Sequence, residues 1–174
     1  PADVDRWVQA LQRNGMEFHA WCVLKGVDPS GEADIIIKTC QRPGVKSMIL
    51  DVEPYDGYWE AGRGPIRPLM TSVRQQIGNG FHIGLGVDPR RVHYNSIYPD
   101  EWLPFINSVH TMSYWTTFGR QVDDVIDETY TVWGNYGRPI IPILQGTAPV
   151  SEQDQAFNRV TQRYGAKALS WWRY

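Results

Sequence analysis

Apolar runs typical of strands alternate with apolar residues at helical spacing along most of the chain, and this alternation restricts the fold more than any single motif does. β-Prone apolar runs predict six strands, at residues 16–24, 47–52, 81–87, 109–115, 139–144 and 168–172. Apolar residues at helical spacing predict helices between them, at residues 3–13, 28–40, 65–77, 99–105, 122–133 and 151–164. Strands that alternate with helices are typical of a parallel sheet covered by helices.

The order of these elements suggests which parallel fold is present. A complete eight-stranded (β/α) barrel needs about 250 residues and begins with a strand, whereas this chain has 174 residues and its first predicted element is a helix. We therefore expect an α/β fold, a (β/α) TIM-type barrel without its first two strands, as a single domain over residues 1–174. The missing segment would come from the same protein or from another chain. An open doubly wound sheet is the alternative, but no Gly-x-Gly-x-x-Gly loop joins a strand to a helix.

Composition gives little support to several classes of function. The formal net charge is −2 and the pI is about 6.1, which provides no electrostatic argument for a nucleic-acid partner. No apolar run approaches the roughly 20 residues of a membrane span, so we expect no membrane partner. The four histidines lack metal-ligand spacing, and neither a metal nor a cofactor is expected. Cys22 and Cys40 are expected to be buried thiols.

One predicted strand ends in a pair of carboxylates. Asp51 and Glu53 follow the apolar run at 47–50, and Pro54 and Tyr55 end the strand. Side chains at positions i and i+2 of a strand share one face, about 6.5–7 Å apart. Glycoside hydrolysis uses two carboxyl groups, one of which is kept protonated by burial and by its neighbour. A solvated strand end or a structural ion pair is the alternative interpretation.

Other polar and aromatic residues fall at the predicted strand ends. In a parallel barrel these ends form one rim, where active sites lie. Aromatic residues make up 13% of the chain, and flat aromatic rings stack on the apolar faces of sugars. The residues predicted at this rim are His19, Trp21, Asp51, Glu53, Tyr55, Asp88, Arg90, Met112, Tyr114, Trp115, Gln145, Trp171 and Trp172.

Three short segments of this rim resemble the family 18 glycoside hydrolases, the chitinase-like (β/α)8 barrels. In that family the fourth strand ends in Asp-x-Asp-x-Glu, the sixth in Met-x-Tyr and the eighth in Trp. The chain contains, in the same order, Ile49-Leu50-Asp51-Val52-Glu53, Met112-Ser113-Tyr114 and Ser170-Trp171-Trp172. A match to strands four, six and eight agrees with the expectation that strands one and two are missing.

The resemblance implies a substrate-assisted mechanism. Glu53 would protonate the glycosidic oxygen, and the 2-acetamido group of the substrate would attack the anomeric carbon with help from Asp51 and from the hydroxyl of Tyr114. Trp172 would form the floor of the subsite for the distorted sugar. The other residues expected to contact the glycan are Trp21, Tyr55, Trp59, Trp115 and Gln145.

The chain also departs from the family 18 pattern. Ile49 occupies the place of the first Asp, and Trp115 follows the Tyr where the family usually has Asp or Asn. More distantly, the chain is similar to the family 25 lysozymes, which act on peptidoglycan. They also end a strand in Asp-x-Glu, and their last strand carries Trp-Gln-Tyr, similar to Trp172-Arg173-Tyr174.

These patterns predict a glycoside hydrolase-like protein that acts on β-linked N-acetylhexosamine polymers of the chitin or peptidoglycan type. An extracellular or cell-envelope location is favoured. A non-catalytic glycan-binding barrel is the alternative, favoured by Ile49, and a purely structural barrel module is a third possibility. The loop that carries Asp56, Tyr58, Trp59 and Glu60 is expected to be a sugar-binding lid, with an ordinary surface loop as the alternative.

Overall fold

The structure is a computed structural model that describes residues 2–172. Its strands are β1 (Phe18–Val23), β2 (Val45–Asp51), β3 (His82–Val87), β4 (Ser108–Ser113), β5 (Ile143–Gln145) and β6 (Ser170–Trp172). They form one parallel sheet in the order β1-β2-β3-β4-β5-β6, with helices between consecutive strands. The predicted α/β fold of the TIM type is therefore confirmed. Arg173 and Tyr174, on which part of the family 25 resemblance depends, lie outside the described residues.

The helices agree with the sequence prediction, apart from one additional short helix. They are α1 (Ala2–Gln12), α2 (Pro29–Cys40), α3 (Ile66–Ile77), α4 (Arg91–Tyr94), α5 (Pro99–Trp102), α6 (Val122–Trp133) and α7 (Val150–Asn158). The short helix α4 is the one that was not predicted. A π-helical turn at Arg159–Arg163 continues α7.

Helix α2 shows how the local sequence sets an element that supports the site. Asp28 caps the helix, because its side chain accepts a hydrogen bond from the backbone N–H of Gly31 at 3.0 Å, and Pro29 suits the first helical turn. Ile36 and Ile37 are buried, but Ile35 is 57% exposed. Three consecutive helical residues cannot all face the core, because neighbouring residues of a helix point about 100° apart.

The last long helix, α7, has no side-chain N-cap. It begins at Val150, with Pro149 in the N-cap position, and Ser151 lies inside its first turn. A serine inside the first turn cannot accept the hydrogen bonds that an N-cap residue accepts.

The chain forms two compact units, each with its own core. The first unit contains residues 1–85 and 97–107, and the second contains residues 86–96 and 108–174. In the first unit, Leu50 and Met48 of β2 pack in a core with Ile36, Met70 and Val73 of the flanking helices. The core of the second unit consists of Trp115, Val122, Val125, Ile126, Leu144, Ala148, Ala156 and Val160. A single domain over residues 1–174 stays a prediction.

The helices of residues 2–172 include none with the length and apolar character that a membrane crossing requires.

Candidate functional site

The candidate site of the first unit lies at the carboxyl end of β2. Strand β2 pairs in parallel with β1, in a register that sets Val23 opposite Asp51 and Trp21 opposite Ile49. Because side chains alternate along a strand, Trp21, Ile49 and Asp51 share one face of the sheet, and Leu50 faces the helices. The backbone carbonyl of Asp51 accepts a hydrogen bond from the N–H of Leu24 at 3.0 Å, which holds the strand end in place.

Asp51 is a buried carboxyl group with an unusual proton affinity. Its side chain belongs to a residue that is 1% exposed, and within the described residues its Oδ1 has no hydrogen-bond partner. Burial, and to a smaller extent the nearby charge of Glu53, raises the pKa of Asp51 from 3.8 to about 7. A carboxyl group that keeps its proton to neutral pH can donate a hydrogen bond, which an ordinary aspartate cannot do.

Glu53 is half-buried and lies two residues beyond Asp51, outside the hydrogen-bonded part of β2. Burial is the main cause that raises the pKa of Tyr58, and the charges of Glu53 and Asp51 act in the same direction. The sequence pattern placed Tyr58 only in the expected lid loop, because a loop tyrosine five residues beyond Glu53 has no position that periodicity could fix.

Trp59 is a core residue of the same loop. It is 6% exposed, its indole N–H donates to the backbone carbonyl of Gly62 at 2.8 Å, and its ring packs edge-on against Trp102 with centroids 5.0 Å apart. Both faces of a buried indole are occupied by protein, so no face is left for a sugar. We therefore remove Trp59 from the expected substrate-binding set.

Two other aromatic side chains of this unit are accessible. Trp21 is 49% exposed on the face that carries Asp51, and Tyr55 is 38% exposed. Tyr55 packs edge-on against Tyr58, with ring centroids 6.3 Å apart. Trp21 and Tyr55 are thus able to present aromatic surface to a ligand near the carboxylate pair.

His19 lies at the opposite end of the sheet from Asp51. It pairs in register with Ser47 near the start of β2, and its Nδ1 is 2.8 Å from the hydroxyl oxygen of Ser47. The expectation that His19 lies at the carboxyl rim was wrong, because β1 begins at Phe18 rather than at residue 16. The later start leaves His19 as the second residue of the strand.

In the second unit, the strand ends carry Tyr114 and Trp172. Tyr114 follows β4 directly and is half-buried, with its ring centroid 6.4 Å from that of Phe118. Trp172 ends β6 and is 48% exposed, and its backbone carbonyl accepts a hydrogen bond from Gly146 at 2.7 Å. The roles expected for Tyr114 and Trp172 stay predictions.

Two expected binding residues of this unit have structural contacts instead. Trp115 is 1% exposed and its indole N–H donates to the carboxylate of Glu152 at 2.7 Å. Gln145 is buried, accepts a hydrogen bond from the backbone of Thr116 at 3.0 Å and donates to the hydroxyl of Thr147 at 3.3 Å. Trp115 is enclosed, and the oxygen and the nitrogen of the Gln145 side-chain amide each form a hydrogen bond within the protein. We therefore remove Trp115 and Gln145 from the expected substrate-binding set.

Asp88 and Arg90, also expected at the rim, form an ion pair. The guanidinium of Arg90 contacts the buried Asp88 carboxylate at 2.6 Å and lies 4.0 Å above the ring of Phe118. Arg90 also donates its backbone N–H to Asp88 at 2.9 Å. The geometry indicates that this pair shapes the loop after β3. Among the side chains of the described ranges, no group of three or more His, Cys, Asp or Glu is placed to hold a metal ion.

Comparison with known proteins shows the fold. No protein-family model matches the chain, and no curated protein matches it either. Among solved structures, it is similar to an active-site mutant of the Rhizomucor miehei β-1,3-glucanosyltransferase in complex with laminaritriose, with a TM-score of 0.64, 13% sequence identity, and 97% of this chain covered against 70% of the other. It is also similar to the chitinase domain of the spore coat protein CotE from Clostridium difficile, with a TM-score of 0.57 and 14% identity.

The match to the chitinase domain covers 80% of this chain and 52% of that domain, so the chain spans about half of the length of that relative. A third similar structure is the tryptophan synthase subunit alpha from Legionella pneumophila, with a TM-score of 0.50, 9% identity, and coverage of 97% and 76%. Two of these three relatives are named for action on glycans and one is named as a synthase subunit. At these identities the likeness shows the fold alone.

Proposed function

We propose that this chain carries the acidic pair of a glycoside hydrolase that acts on β-linked N-acetylhexosamine polymers of the chitin or peptidoglycan type. One observation carries the proposal. At the carboxyl end of a parallel strand, where TIM-type enzymes place their active sites, the buried Asp51 holds a proton to about pH 7 beside the second carboxyl group of Glu53. Two carboxyl groups with different environments are what acid-catalysed glycoside cleavage requires.

Glu53 is the residue that transfers the proton in this proposal. It lies beyond the strand and is less enclosed than Asp51, so the glycosidic oxygen of a bound polymer can approach it. The pair keeps one proton near neutral pH, which Glu53 delivers to the leaving oxygen. The 2-acetamido oxygen of the substrate attacks the anomeric carbon, and the Asp51 carboxyl group assists as a hydrogen-bond partner of that acetamido group.

Aromatic surface near the pair supports a sugar as the ligand. The exposed Trp21 and Tyr55 offer flat apolar faces, and the polar carboxyl groups beside them suit the hydroxyl groups of a sugar. The roles that the family 18 resemblance implies for Tyr114 and Trp172 stay predictions, and a Tyr114→Phe variant tests the first of them.

A second candidate function is a non-catalytic glycan-binding barrel. It is favoured by Ile49, which lies on the same face as Asp51 and provides no third carboxylate there. Such a protein would bind a polymer through its aromatic residues without cleaving it.

Turnover by the parent chain and by its Glu53→Gln variant separates the two functions. We would incubate both proteins with chitin oligomers and with peptidoglycan and identify the products by mass spectrometry. Glutamine keeps the shape of the side chain but cannot deliver the proton, so we expect the rate to fall at least about 100-fold while binding remains. The polymer that is cleaved identifies the substrate class. If neither polymer is cleaved but sugars quench tryptophan fluorescence, the binding function is correct and the hydrolase proposal fails.

A further inference from the structure

The loop that follows Glu53 is fixed to the segment after β1. The N–H of Glu60 donates to the backbone carbonyl of Lys25 at 2.8 Å. Ala61 lies against Gly26, where the backbone has a φ of +72° and an added Cβ would come within 2.5 Å of the Ala61 Cβ. These contacts hold the loop in place and therefore favour an ordinary surface loop over a lid.

Helix α5 supports the same loop. Its buried Trp102 packs edge-on against the buried Trp59 of the loop, with ring centroids 5.0 Å apart. The indole N–H of Trp102 donates to the backbone carbonyl of Ile97 at 2.8 Å, which fixes the orientation of this ring. Because α5 belongs to the connection between β3 and β4, a segment distant in the sequence supports the loop after β2.

Glu101, next to Trp102 on α5, joins two arginines at the end of this loop. Its side chain is 8% exposed, the guanidinium of Arg63 lies 2.6 Å from it, and Arg67 in the first turn of α3 forms a second ion pair. Asp100 also pairs with Arg63. Both arginines are more than half exposed, so each pair alone contributes little to stability. The enclosed carboxylate that they share fixes their positions relative to α5.

The backbone that leads into α5 is strained. Tyr98 has a φ of 55° and a ψ of 61°, in the left-handed region, and it is the one non-glycine residue with a positive φ in the part of the chain that the structure describes. A residue with a Cβ keeps this unfavourable conformation only where the surrounding contacts determine it. The contacts of Glu101 and Trp102 with the loop are contacts of this kind.

We propose that Glu101 is a positioning residue of the candidate site. Through Arg63 and Arg67 it holds the far end of the loop that begins at Glu53. The near end of the loop is fixed by β2, so the Glu53 carboxyl group keeps its place next to that of Asp51. The proposal rests on the proposed function where it concerns catalysis, but the fixing of the loop does not depend on any reaction.

Amide hydrogen exchange tests the positioning without a substrate. We would compare the parent chain with Glu101→Gln and with Arg63→Gln, the second of which changes a more than half-exposed side chain and leaves the core intact. In both variants the Glu60 amide, which joins the loop to the segment after β1, should lose its protection by at least about tenfold. The amide of Leu24, just after β1, should keep its protection.

The matched control is Arg42→Gln, which removes an arginine of the same unit that pairs with Asp5 at 3.3 Å before β2 begins. It should leave the ratio of protection between the Glu60 and Leu24 amides unchanged. Equal losses at the two amides in Glu101→Gln would show only a general loss of stability, and no loss at Glu60 would show that the loop does not depend on Glu101. Either result overturns the proposal.

Kinetics separate this proposal from the proposed function. If the parent cleaves a polymer, a misplaced Glu53 should lower kcat in Glu101→Gln by about 10- to 100-fold. KM should change by less than about threefold, because Trp21 lies on β1 and not on the loop. An unchanged kcat would overturn the proposal. If the parent cleaves no polymer but the Glu60 amide alone loses protection, the proposed function fails and the positioning of the loop by Glu101 stands.

Discussion

Asp51 links the chemistry of the site to the stability of the fold. Its carboxyl group has a pKa of about 7 in the folded chain and 3.8 as an ordinary aspartate. Between these values the folded chain binds a proton that the unfolded chain has released, so the free energy of unfolding falls as the pH rises from about 4 to 7. Above about pH 7 both states have lost the proton, and the full cost of burying the charge is present.

An Asp51→Asn variant should remove this pH dependence, because asparagine does not ionise. We expect the stability of the variant relative to the parent to increase by a few kcal/mol between about pH 4 and pH 8, at about 1.4 kcal/mol for each pH unit. Denaturant unfolding at both pH values measures it. The control is Asp34→Asn, which removes an exposed carboxylate 3.6 Å from Lys38 and should change the stability by less than about 1 kcal/mol at either pH. If Asp51→Asn and the parent differed in stability by the same amount at both pH values, the prediction that a buried Asp51 ionises over this range would be wrong.

For single residues, the sequence allowed a prediction of which residue types lie at a strand end, but not of how deeply each side chain is buried. Trp21 and Trp59 look equally suitable as sugar-stacking residues in the sequence, and only the packing against Trp102 distinguishes the buried indole from the exposed one. The sequence also contained no sign that the charges of Glu53 and Asp51 raise the pKa of Tyr58, because this effect depends on how the loop folds.

The loop after β2 depends on Trp59 for its position. A Trp59→Ala variant removes a buried indole, its contact with Trp102 and its hydrogen bond to Gly62, and should lower the free energy of unfolding by about 3–5 kcal/mol. The matched control is Trp7→Ala on α1, where the ring is 53% exposed and the loss should be below about 1 kcal/mol. Guanidinium unfolding of the two variants provides the comparison. Equal losses would contradict the anchoring described here.

The bounds of helices and strands were predictable where the spacing of apolar residues was regular and no proline interrupted the backbone hydrogen bonds. Helix α6 was predicted at its observed bounds, because its apolar residues keep helical spacing between Gln121 and Gly134. Residues 139–144 were predicted as one strand, but β5 begins only at Ile143 and residues Val109 and Ile140 form an isolated bridge. Pro139 and Pro142 lack the backbone donor that a continuous ladder requires, which limits this strand.

For the molecule as a whole, the alternation of strands and helices was enough to predict a parallel TIM-type sheet, because parallel strands need helical crossovers between them. The two compact units could not be foreseen, since they depend on which side chains meet in each core. The segment that would complete a barrel stays a prediction.

The reactivity of the Cys22 and Cys40 thiols tests whether the first unit is folded as described. Burial raises the pKa of Cys22 to about 12 and that of Cys40 to about 11, so neither forms much thiolate near neutral pH. We expect the buried Cys40 thiol to react with an aromatic disulfide probe only when the chain unfolds, and the half-buried Cys22 thiol to react much more slowly in the native chain than in the unfolded one. Cys22→Ala assigns the remaining signal to Cys40. Rapid reaction of either thiol in the native chain, at the rate of the unfolded one, would contradict the described core.

The titration of Asp51 itself, followed through its carboxyl carbon by ¹³C NMR in the parent chain and in Glu53→Gln, tests the proton-holding pair. We expect a pKa of about 7 in the parent. In Glu53→Gln we expect a lower pKa that still exceeds 3.8, because burial is the larger cause and the charge of Glu53 the smaller one. An Asp51 that titrates near 3.8 in the parent would contradict the proton-holding pair, and with it the basis of the proposed function.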